Sequence, residues 1–370
     1  EFVAKNTPST FAGKATTIWK AGLLTSPTTT AGNVMANTAE QTWKRGYVDP
    51  VQTGVDILFS IFTGKRSKTL TGKGVVSGAK EGAIKGVSYY KTGFDPRNPE
   101  AKFDVHEIHF SDTPQGKVAE AYTQGVFRLM GAQDQPFYYA SLRNSLYDQA
   151  ITEAKNLNLK GAQRETYVKK FVTEPSEKAM QLADTEARYD VFQNKTAIGN
   201  IASGVKQGAK NAGQGADALS EVIIPFSQVP ASVATRIVER TPIGTANEII
   251  KQIKNKSFDQ RRMTQAIANG SSAVVLAGVG FALADNDGIT LGYPKDDTER
   301  KLWELEGKQP YSVKIGNKWV SMNYLQPAGT LIAAGAEYKK AKNEGASTTE
   351  AWSRAVAGAG KALTEQTFLK

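Results

Sequence analysis

The sequence contains no cysteine and two histidines, His106 and His109. Without cysteine the chain has no disulfide framework, no thiolate metal site and no thiol nucleophile. The histidines stand in the segment Val-His-Glu-Ile-His-Phe, which is not the His-Glu-x-x-His pattern of zinc proteases. A Ser-His-Asp triad would need one of them, and no Gly-x-Ser-x-Gly nucleophile elbow supports it.

Other catalytic signatures are missing as well. Two segments rich in lysine and glycine, Thr-Gly-Lys-Arg-Ser-Lys-Thr and Thr-Gly-Lys-Gly-Val-Val-Ser-Gly, lack the Gly-x-x-x-x-Gly-Lys-Ser/Thr spacing of a phosphate-binding loop. No pair of carboxylates stands out as an acid–base pair. We therefore expect no catalytic residue, no metal site and no cofactor, and we interpret these 370 residues as non-enzymatic.

The sequence begins with Glu-Phe-Val and has no basic-plus-apolar signal peptide, so we expect a fragment of a longer protein. Its length allows a sizeable core or two or three domains. We divide it into an N-terminal helical region with a Gly/Lys-rich segment (1–93), a loop (94–116), a region of paired helices (117–200) and a C-terminal helical region with a hairpin (201–370).

The formal net charge of +10 is unevenly distributed. Residues 64–93 contain seven basic side chains and one acid, whereas residues 285–306 contain seven acids and three basic side chains. A basic segment attracts DNA phosphates or anionic lipid headgroups, and the alternative is a solvated basic face. The candidate contacts to DNA or lipid are Lys65, Arg66, Lys73, Lys80 and Lys85.

Most of the chain has apolar residues at helical spacing, which predicts a mainly α, extended multi-helix fold. Proline marks the expected helix boundaries, at Ser26-Pro27, Gln135-Pro136, Glu174-Pro175, Pro225, Pro230 and Pro242. Thr173 or Glu174 is expected to cap the helix after Pro175. Near 312–323, two β-prone runs flank Gly316-Asn317, which predicts one small β-hairpin.

Gly74, Gly78, Gly82 and Gly86 recur every four residues, a spacing that lines one face of a helix. Each glycine costs roughly 1 kcal/mol relative to alanine in a helix interior, so a close approach of a second helix is expected to offset the cost. The same four-residue spacing recurs less fully at Gly204, Gly208 and Ala212. A flexible Gly/Lys linker is the alternative interpretation.

The 22 residues 263–284 carry no charge and are long enough to cross the hydrocarbon core of a bilayer. Arg261 and Arg262 would form a basic flank. A buried helix in a soluble core is the ordinary interpretation, and a membrane segment exposed after rearrangement is the alternative. The candidate membrane residues are Ser271, Val274, Leu276, Val279, Phe281 and Leu283.

Four stretches resemble segments of the large polyvalent and internal virion proteins of tailed bacteriophages. Residues 18–37 resemble their Trp-containing helix and proline-threonine turn, and residues 125–150 their Phe-Arg-x-x-Gly-Ala-x-Asp-x-x-Phe helix pair. Residues 222–244 resemble their Pro-Phe, Pro and Glu-Arg-x-Pro series. Residues 296–338 resemble their acidic helix followed by a hairpin and a Pro-x-Gly helix start.

The resemblance implies a protein of the virion interior that is ejected with the genome and helps form a DNA conduit across the host envelope. It implies as partners the portal or other internal virion proteins, phage DNA and the host inner membrane, with assembly as a symmetric homo-oligomer. A core or tape-measure-like scaffold at the portal, a DNA-binding module, and an accessory region of an encapsidated polymerase or transglycosylase are the alternatives.

Overall fold

The computed structural model describes residues 11–97, 108–194, 196 and 228–366. These residues are mainly α-helical and include one two-stranded hairpin, which confirms the predicted fold class. The chain divides into unit 1 (Glu1–Asn37 and Lys68–Ser232) and unit 2 (Thr38–Ser67 and Val233–Lys370). Each unit combines two separate stretches of sequence, so the units differ from the four consecutive regions drawn from the sequence.

Helix boundaries follow local signals at several positions. Pro27 and Pro242 each stand at the start of a helix, where a proline interrupts no helical hydrogen bond. The helices are α1 (Phe11–Leu24), α2 (Pro27–Trp43), α3 (Asp49–Thr63), α4 (Val75–Thr92), α5 (Pro114–Asn156), α6 (Gly161–Thr173), α7 (Glu177–Asp190), α8 (Gln228–Glu239), α9 (Pro242–Lys254), α10 (Gln260–Asp285), α11 (Asp297–Leu305), α12 (Ala328–Asn343) and α13 (Thr348–Gln366).

Two predicted boundaries are wrong in detail. Pro230 does not cut a helix, because it lies in the first turn of α8, while Pro225 lies outside the described residues. The cap before α7 is Ser176, whose hydroxyl accepts a hydrogen bond from the Ala179 amide, rather than Thr173 or Glu174. Ser176 has the extended backbone of an N-cap and directly precedes the first helical residue.

The predicted break at Gln135-Pro136 is also wrong, because α5 continues through it as one helix of 43 residues. Proline has no amide hydrogen, so the carbonyl of Ala132 loses its helical partner. That carbonyl instead faces Gly86 of α4, where an added Cβ would lie 2.8 Å from the oxygen. The oxygen that proline leaves free therefore lies at the close packing contact between α4 and α5.

Gly74, the N-cap of α4, and the three glycines within the helix pack directly on the backbone of α5. A Cβ would lie 2.2 Å from the Tyr139 carbonyl oxygen at Gly78 and 2.3 Å from the Gln135 carbonyl oxygen at Gly82. Gly74 and Gly86 make similarly close approaches to α5. The stripe is thus a helix-packing face within unit 1, and α4 is not a flexible linker. Gly204, Gly208 and Ala212 lie outside the described residues.

Another helix packs on α5 in unit 1 through small residues, because α7 buries Ala179, Ala183 and Ala187 against it. Asp148 of α5 is fully buried and holds the chain leading into α4. It lies 3.1 Å from the Lys68 ammonium and accepts a hydrogen bond from the Thr71 amide at 3.0 Å.

Unit 2 contains the predicted hairpin, formed by β1 (Ser312–Ile315) and β2 (Lys318–Ser321). Gly316, at positive φ, begins the two-residue turn that joins them. A 3-10 turn (Met322–Leu325) leads from β2 toward α12. The core of the unit combines hairpin residues with apolar residues of α10 and α12, namely Leu276, Tyr311, Val313, Met322, Leu331, Ile332 and Ala333.

Candidate functional site

Helix α3 in unit 2 has the reverse of the polarity expected of a water-soluble helix. Its buried residues are all polar: Asp49, Gln52 and Asp56. Its exposed face is apolar, with side chains between 47% and 89% exposed, namely Ile57, Leu58, Ile61 and Phe62. A surface helix of a soluble domain directs its apolar stripe to the core. Helix α3 is amphipathic, but its polar face is buried and its apolar face is exposed.

Helix α9 repeats this arrangement. Its one buried residue is Gln252, whose side-chain amide donates to Glu248 and to the Asp259 carbonyl. Four isoleucines are exposed on the same helix: Ile243, Ile249, Ile250 and Ile253. Two helices of one unit therefore turn polar groups inward and large aliphatic groups outward.

Helix α10 contains the uncharged stretch and separates the six candidate membrane residues onto different faces. Val274, Val279 and Phe281 are exposed, and Val275 beside them is exposed as well. Leu276 is buried in the core of unit 2, while Ser271 and Leu283 are partly covered. The exposed apolar residues of α10 thus lie between Val274 and Ala282, and the candidates named from the sequence included only some of them.

Within the described residues α10 is the helix that is long and apolar enough to span a membrane. Only 28% of its most apolar window is buried in the fold. The buried-helix interpretation predicts that most of this window is covered, and the observed burial is much smaller.

Small and polar residues of α10 take part in its packing, beside Leu276 in the core. A Cβ at Gly280 would lie 1.8 Å from the Ile332 carbonyl oxygen, and one at Gly335 would lie 1.9 Å from the Ala277 oxygen. The Trp43 indole donates to the Ser272 hydroxyl at 3.2 Å. Close backbone approach and hydrogen bonds between helix side chains are the contacts by which helices associate in lipid.

A buried carboxylate ties α3 to α10. Asp56 accepts hydrogen bonds from the Arg66 guanidinium at 2.7 Å and from the Gln260 side chain at 2.8 Å. The Ser67 amide donates to it at 2.9 Å. Arg66, proposed from the sequence as a contact to DNA or lipid, is therefore committed to a structural ion pair, whereas the Lys65 side chain is exposed.

The most enclosed ionic group of unit 2 contains Glu40, Arg236 and Arg240, whose side chains are at most 2% exposed. Glu40 accepts from Arg240 at 2.6 Å and lies 3.1 Å from Arg236. Burial raises the pKa of Glu40, but the charges of Arg240 and Arg236 outweigh it and hold that pKa below its ordinary value. One carboxylate thus contacts two buried guanidinium groups.

The remaining basic candidates belong to unit 1, so the basic segment 64–93 is divided between the units. Lys73, Lys80 and Lys85 are exposed on or beside α4. Exposed aliphatic side chains of the same helix accompany them, namely Val76, Ile84 and Val87. Sequence reasoning identified the lysines but not the apolar residues between them.

Unit 1 also has an open apolar groove of about 450 Å³ between α1 and α5. Its lining is Ile18, Pro114, Gln115, Val118, Ala119 and Tyr122. The Tyr122 hydroxyl is already hydrogen-bonded to Thr25 at 2.7 Å, so little polar chemistry is available to orient a ligand. The groove offers a place for an apolar group but no reactive residues.

No group of three metal-ligating side chains is found in the part of the chain that the structure describes. His109 Nδ1 lies 2.9 Å from a carboxylate oxygen of Glu120, which is an ordinary polar pair. His106 lies outside the described residues. Comparison with known proteins gives no match: no family model, no curated protein and no solved structure corresponds to this chain.

Proposed function

We propose that this chain is a helical, non-enzymatic part of a tailed-phage internal virion protein whose unit 2 inserts into the host membrane after ejection. There it would form part of the conduit through which phage DNA crosses the envelope. The observation that carries the membrane step is the exposed apolar surface of unit 2: α3 and α9 bury only polar residues and expose large apolar ones, and the uncharged α10 exposes Val274, Val275 and Val279. The virion setting and the passage of DNA are supported by the resemblance of the four sequence stretches.

Burial of the exposed apolar side chains of unit 2 away from water would be favourable. Fully burying a valine, leucine, isoleucine or phenylalanine side chain is worth roughly 1.5–3 kcal/mol. Unit 2 exposes more than ten such side chains on α3, α9 and α10 and the loop between the last two. Large apolar patches mark protein or membrane contacts, so water is not expected to be the final environment of this surface.

The length of α10 matches the thickness of a lipid bilayer. The uncharged residues 263–284 span about 33 Å as a helix, and the hydrocarbon core of a bilayer is about 30 Å thick. Arg262 stands directly before the stretch and Asp285 directly after it. Charged residues at both ends would lie at the membrane interfaces while the valines and Phe281 face acyl chains.

The second candidate is a scaffold, such as a portal core, in which copies of the chain cover one another. The same exposed apolar faces favour it, because homo-oligomer interfaces are also apolar. Sedimentation of the purified chain without lipid discriminates the two candidates. A symmetric oligomer that hides the apolar faces and does not bind vesicles supports the scaffold, whereas vesicle binding that requires α10 supports insertion.

The test of insertion replaces Val274 and Val275 with lysine. Both positions lie at the middle of α10 and are exposed, so the water-soluble fold should keep its thermal unfolding midpoint. A lysine at the centre of a bilayer costs roughly 2.5–3.5 kcal/mol, so dye leakage from loaded vesicles should fall at least tenfold. The fluorescence of released dye measures leakage, and vesicle flotation measures binding.

The matched control replaces Leu302 and Leu305 of α11 with lysine. These leucines are exposed in the same unit but lie outside α3, α9 and α10, so leakage should persist. Wild-type chain that neither floats with vesicles nor releases dye would overturn the proposal. Equal loss of leakage in the control and test variants would also contradict it, because net charge rather than the α10 face would then be responsible.

A further inference from the structure

The outward face of α4 in unit 1 combines lysines with exposed aliphatic side chains. Lys80 lies opposite the glycine stripe, since it follows Gly78 by two positions and a helix turns 100° per residue. Val76, Ile84 and Val87 share this side and are between 60% and 73% exposed. Lys73 and Lys91 mark its two ends. The face is therefore basic and apolar along its whole length.

Within the described ranges, no acid forms an ion pair with these lysines on the outward face. Glu81, the one acid within α4, lies 2.6 Å from the Arg143 guanidinium of α5. Asp95, just beyond the helix, is buried and accepts from the Tyr139 hydroxyl at 2.9 Å. Among the described residues, Lys73, Lys80 and Lys91 form no ion pair, so the face presents uncompensated positive charge.

The glycine stripe on the opposite side of α4 fixes the orientation of this face. Its glycines sit directly on the backbone of α5, and the buried Tyr89 ring packs on Gly131 of α5. A helix packed this closely cannot rotate about its axis without backbone collision. The lysines and aliphatic side chains are therefore presented as a preformed surface, and binding need not order the helix first.

We propose that the outward face of α4 binds an anionic lipid surface while lying in the plane of the interface. Val76, Ile84 and Val87 would enter the boundary between headgroups and acyl chains, while the lysines meet lipid phosphates. This binding deepens the proposed function and rests on it, since it names the lipid class of the membrane that the chain meets.

The aliphatic residues decide between lipid and DNA. A duplex is bound through its phosphates by lysine and arginine, and contacts of that kind would leave Val76, Ile84 and Val87 in water. An anionic bilayer interface accommodates both components, because it offers phosphates to the lysines and an apolar layer just below them. Charge and apolarity on one face thus point to the same occupant.

The experiment measures flotation of the full chain with vesicles of phosphatidylcholine, with and without phosphatidylglycerol. The test variant replaces Lys73, Lys80 and Lys91 with glutamine. A lysine near an anionic surface changes affinity about fivefold, so the three changes together should weaken binding to the anionic vesicles about a hundredfold. Binding to vesicles of phosphatidylcholine alone should be unchanged.

A matched control replaces Lys169, Lys170 and Lys178 with glutamine, which removes the same charge from exposed positions of unit 1. Its affinity for anionic vesicles should stay within a few-fold of wild type. A second variant, Ile84→Ser with Val87→Ser, tests the apolar half and should also weaken vesicle binding. Circular dichroism confirms that each variant keeps the wild-type helical content.

Equal weakening of the α4 and control variants would overturn the inference, because only total charge would then matter. It would equally be overturned if the α4 variant lost affinity for duplex DNA while keeping its affinity for anionic vesicles. Failure of the proposed function looks different: the wild-type chain would bind anionic vesicles through α4 without releasing dye from them. Charge-dependent binding through α4 would then stand while membrane insertion by unit 2 would not.

Discussion

Replacing Gly82 with leucine should abolish the cooperative folding of unit 1. A Cβ at this position would lie 2.3 Å from the Gln135 carbonyl oxygen and 2.6 Å from the Cα of Pro136. Both are backbone atoms of the central helix, so no flexible side chain can move aside. Overpacking of a core costs about 1–3 kcal/mol even where side chains can shift, and here α4 must separate from α5.

The loss of stability is measured by urea denaturation, with circular dichroism as the signal of unfolding. Ala83→Leu is the control, because Ala83 is the next residue of α4 and faces solvent; its unfolding midpoint should stay close to wild type. A Gly82→Leu chain with an unchanged midpoint would contradict the packing of α4 on α5. Bulky substitutions at Gly78 are expected to destabilise the unit in the same way, because a Cβ there would lie 2.2 Å from the Tyr139 carbonyl oxygen.

Replacing Glu40 with glutamine should destabilise unit 2 by about 3–5 kcal/mol, the cost of breaking a buried ion pair by removing one partner. Glutamine has nearly the same shape but no charge, so the charge attraction of Glu40 to Arg236 and Arg240 would be lost while both guanidinium groups stay buried. The control is Glu350→Gln, which removes an exposed ion pair with Arg354 at 2.7 Å and should cost at most about 1 kcal/mol.

The charge of Glu40 also makes the stability of unit 2 depend on pH. Because the folded-state pKa of Glu40 is below its ordinary value, its charge stabilises the fold above the unfolded-state pKa of about 4.3. This contribution is lost as pH falls through the folded-state pKa. Acid should therefore lower the thermal unfolding midpoint less in Glu40→Gln than in wild type. Identical acid dependence in both chains would count against an ionised Glu40 in the cluster.

Local chemistry in the sequence was enough to predict several elements. Proline at the first position of α2 and of α9 predicted where those helices begin, because a proline there interrupts no helical hydrogen bond. Gly316-Asn317 predicted the hairpin turn through its tolerance of positive φ. The four-residue spacing of glycine predicted a close helix contact on one face of α4. Each signal acts within a few residues, so no knowledge of the rest of the chain was needed.

The direction in which an amphipathic helix faces could not be predicted in this way. The sequence of α3 places Asp49, Gln52 and Asp56 on one side and Ile57 and Ile61 on another, but spacing alone does not say which side is inside. The rule that apolar residues face the core would have assigned it the wrong way round. Only the partners, such as Arg66 and Gln260 at Asp56, reveal that the polar side is buried.

The sequence by itself determined the helical class, the hairpin and the positions of charge and glycine, because these depend on backbone geometry over short distances. Only the tertiary structure decided that α5 continues through Pro136, since Gly86 comes from another helix to meet the freed carbonyl. It also divided the basic segment between two units and paired Arg66 and Lys68 with buried carboxylates. These outcomes depend on contacts between residues distant in sequence, and such contacts decide which charged and apolar groups remain on the surface to bind a partner.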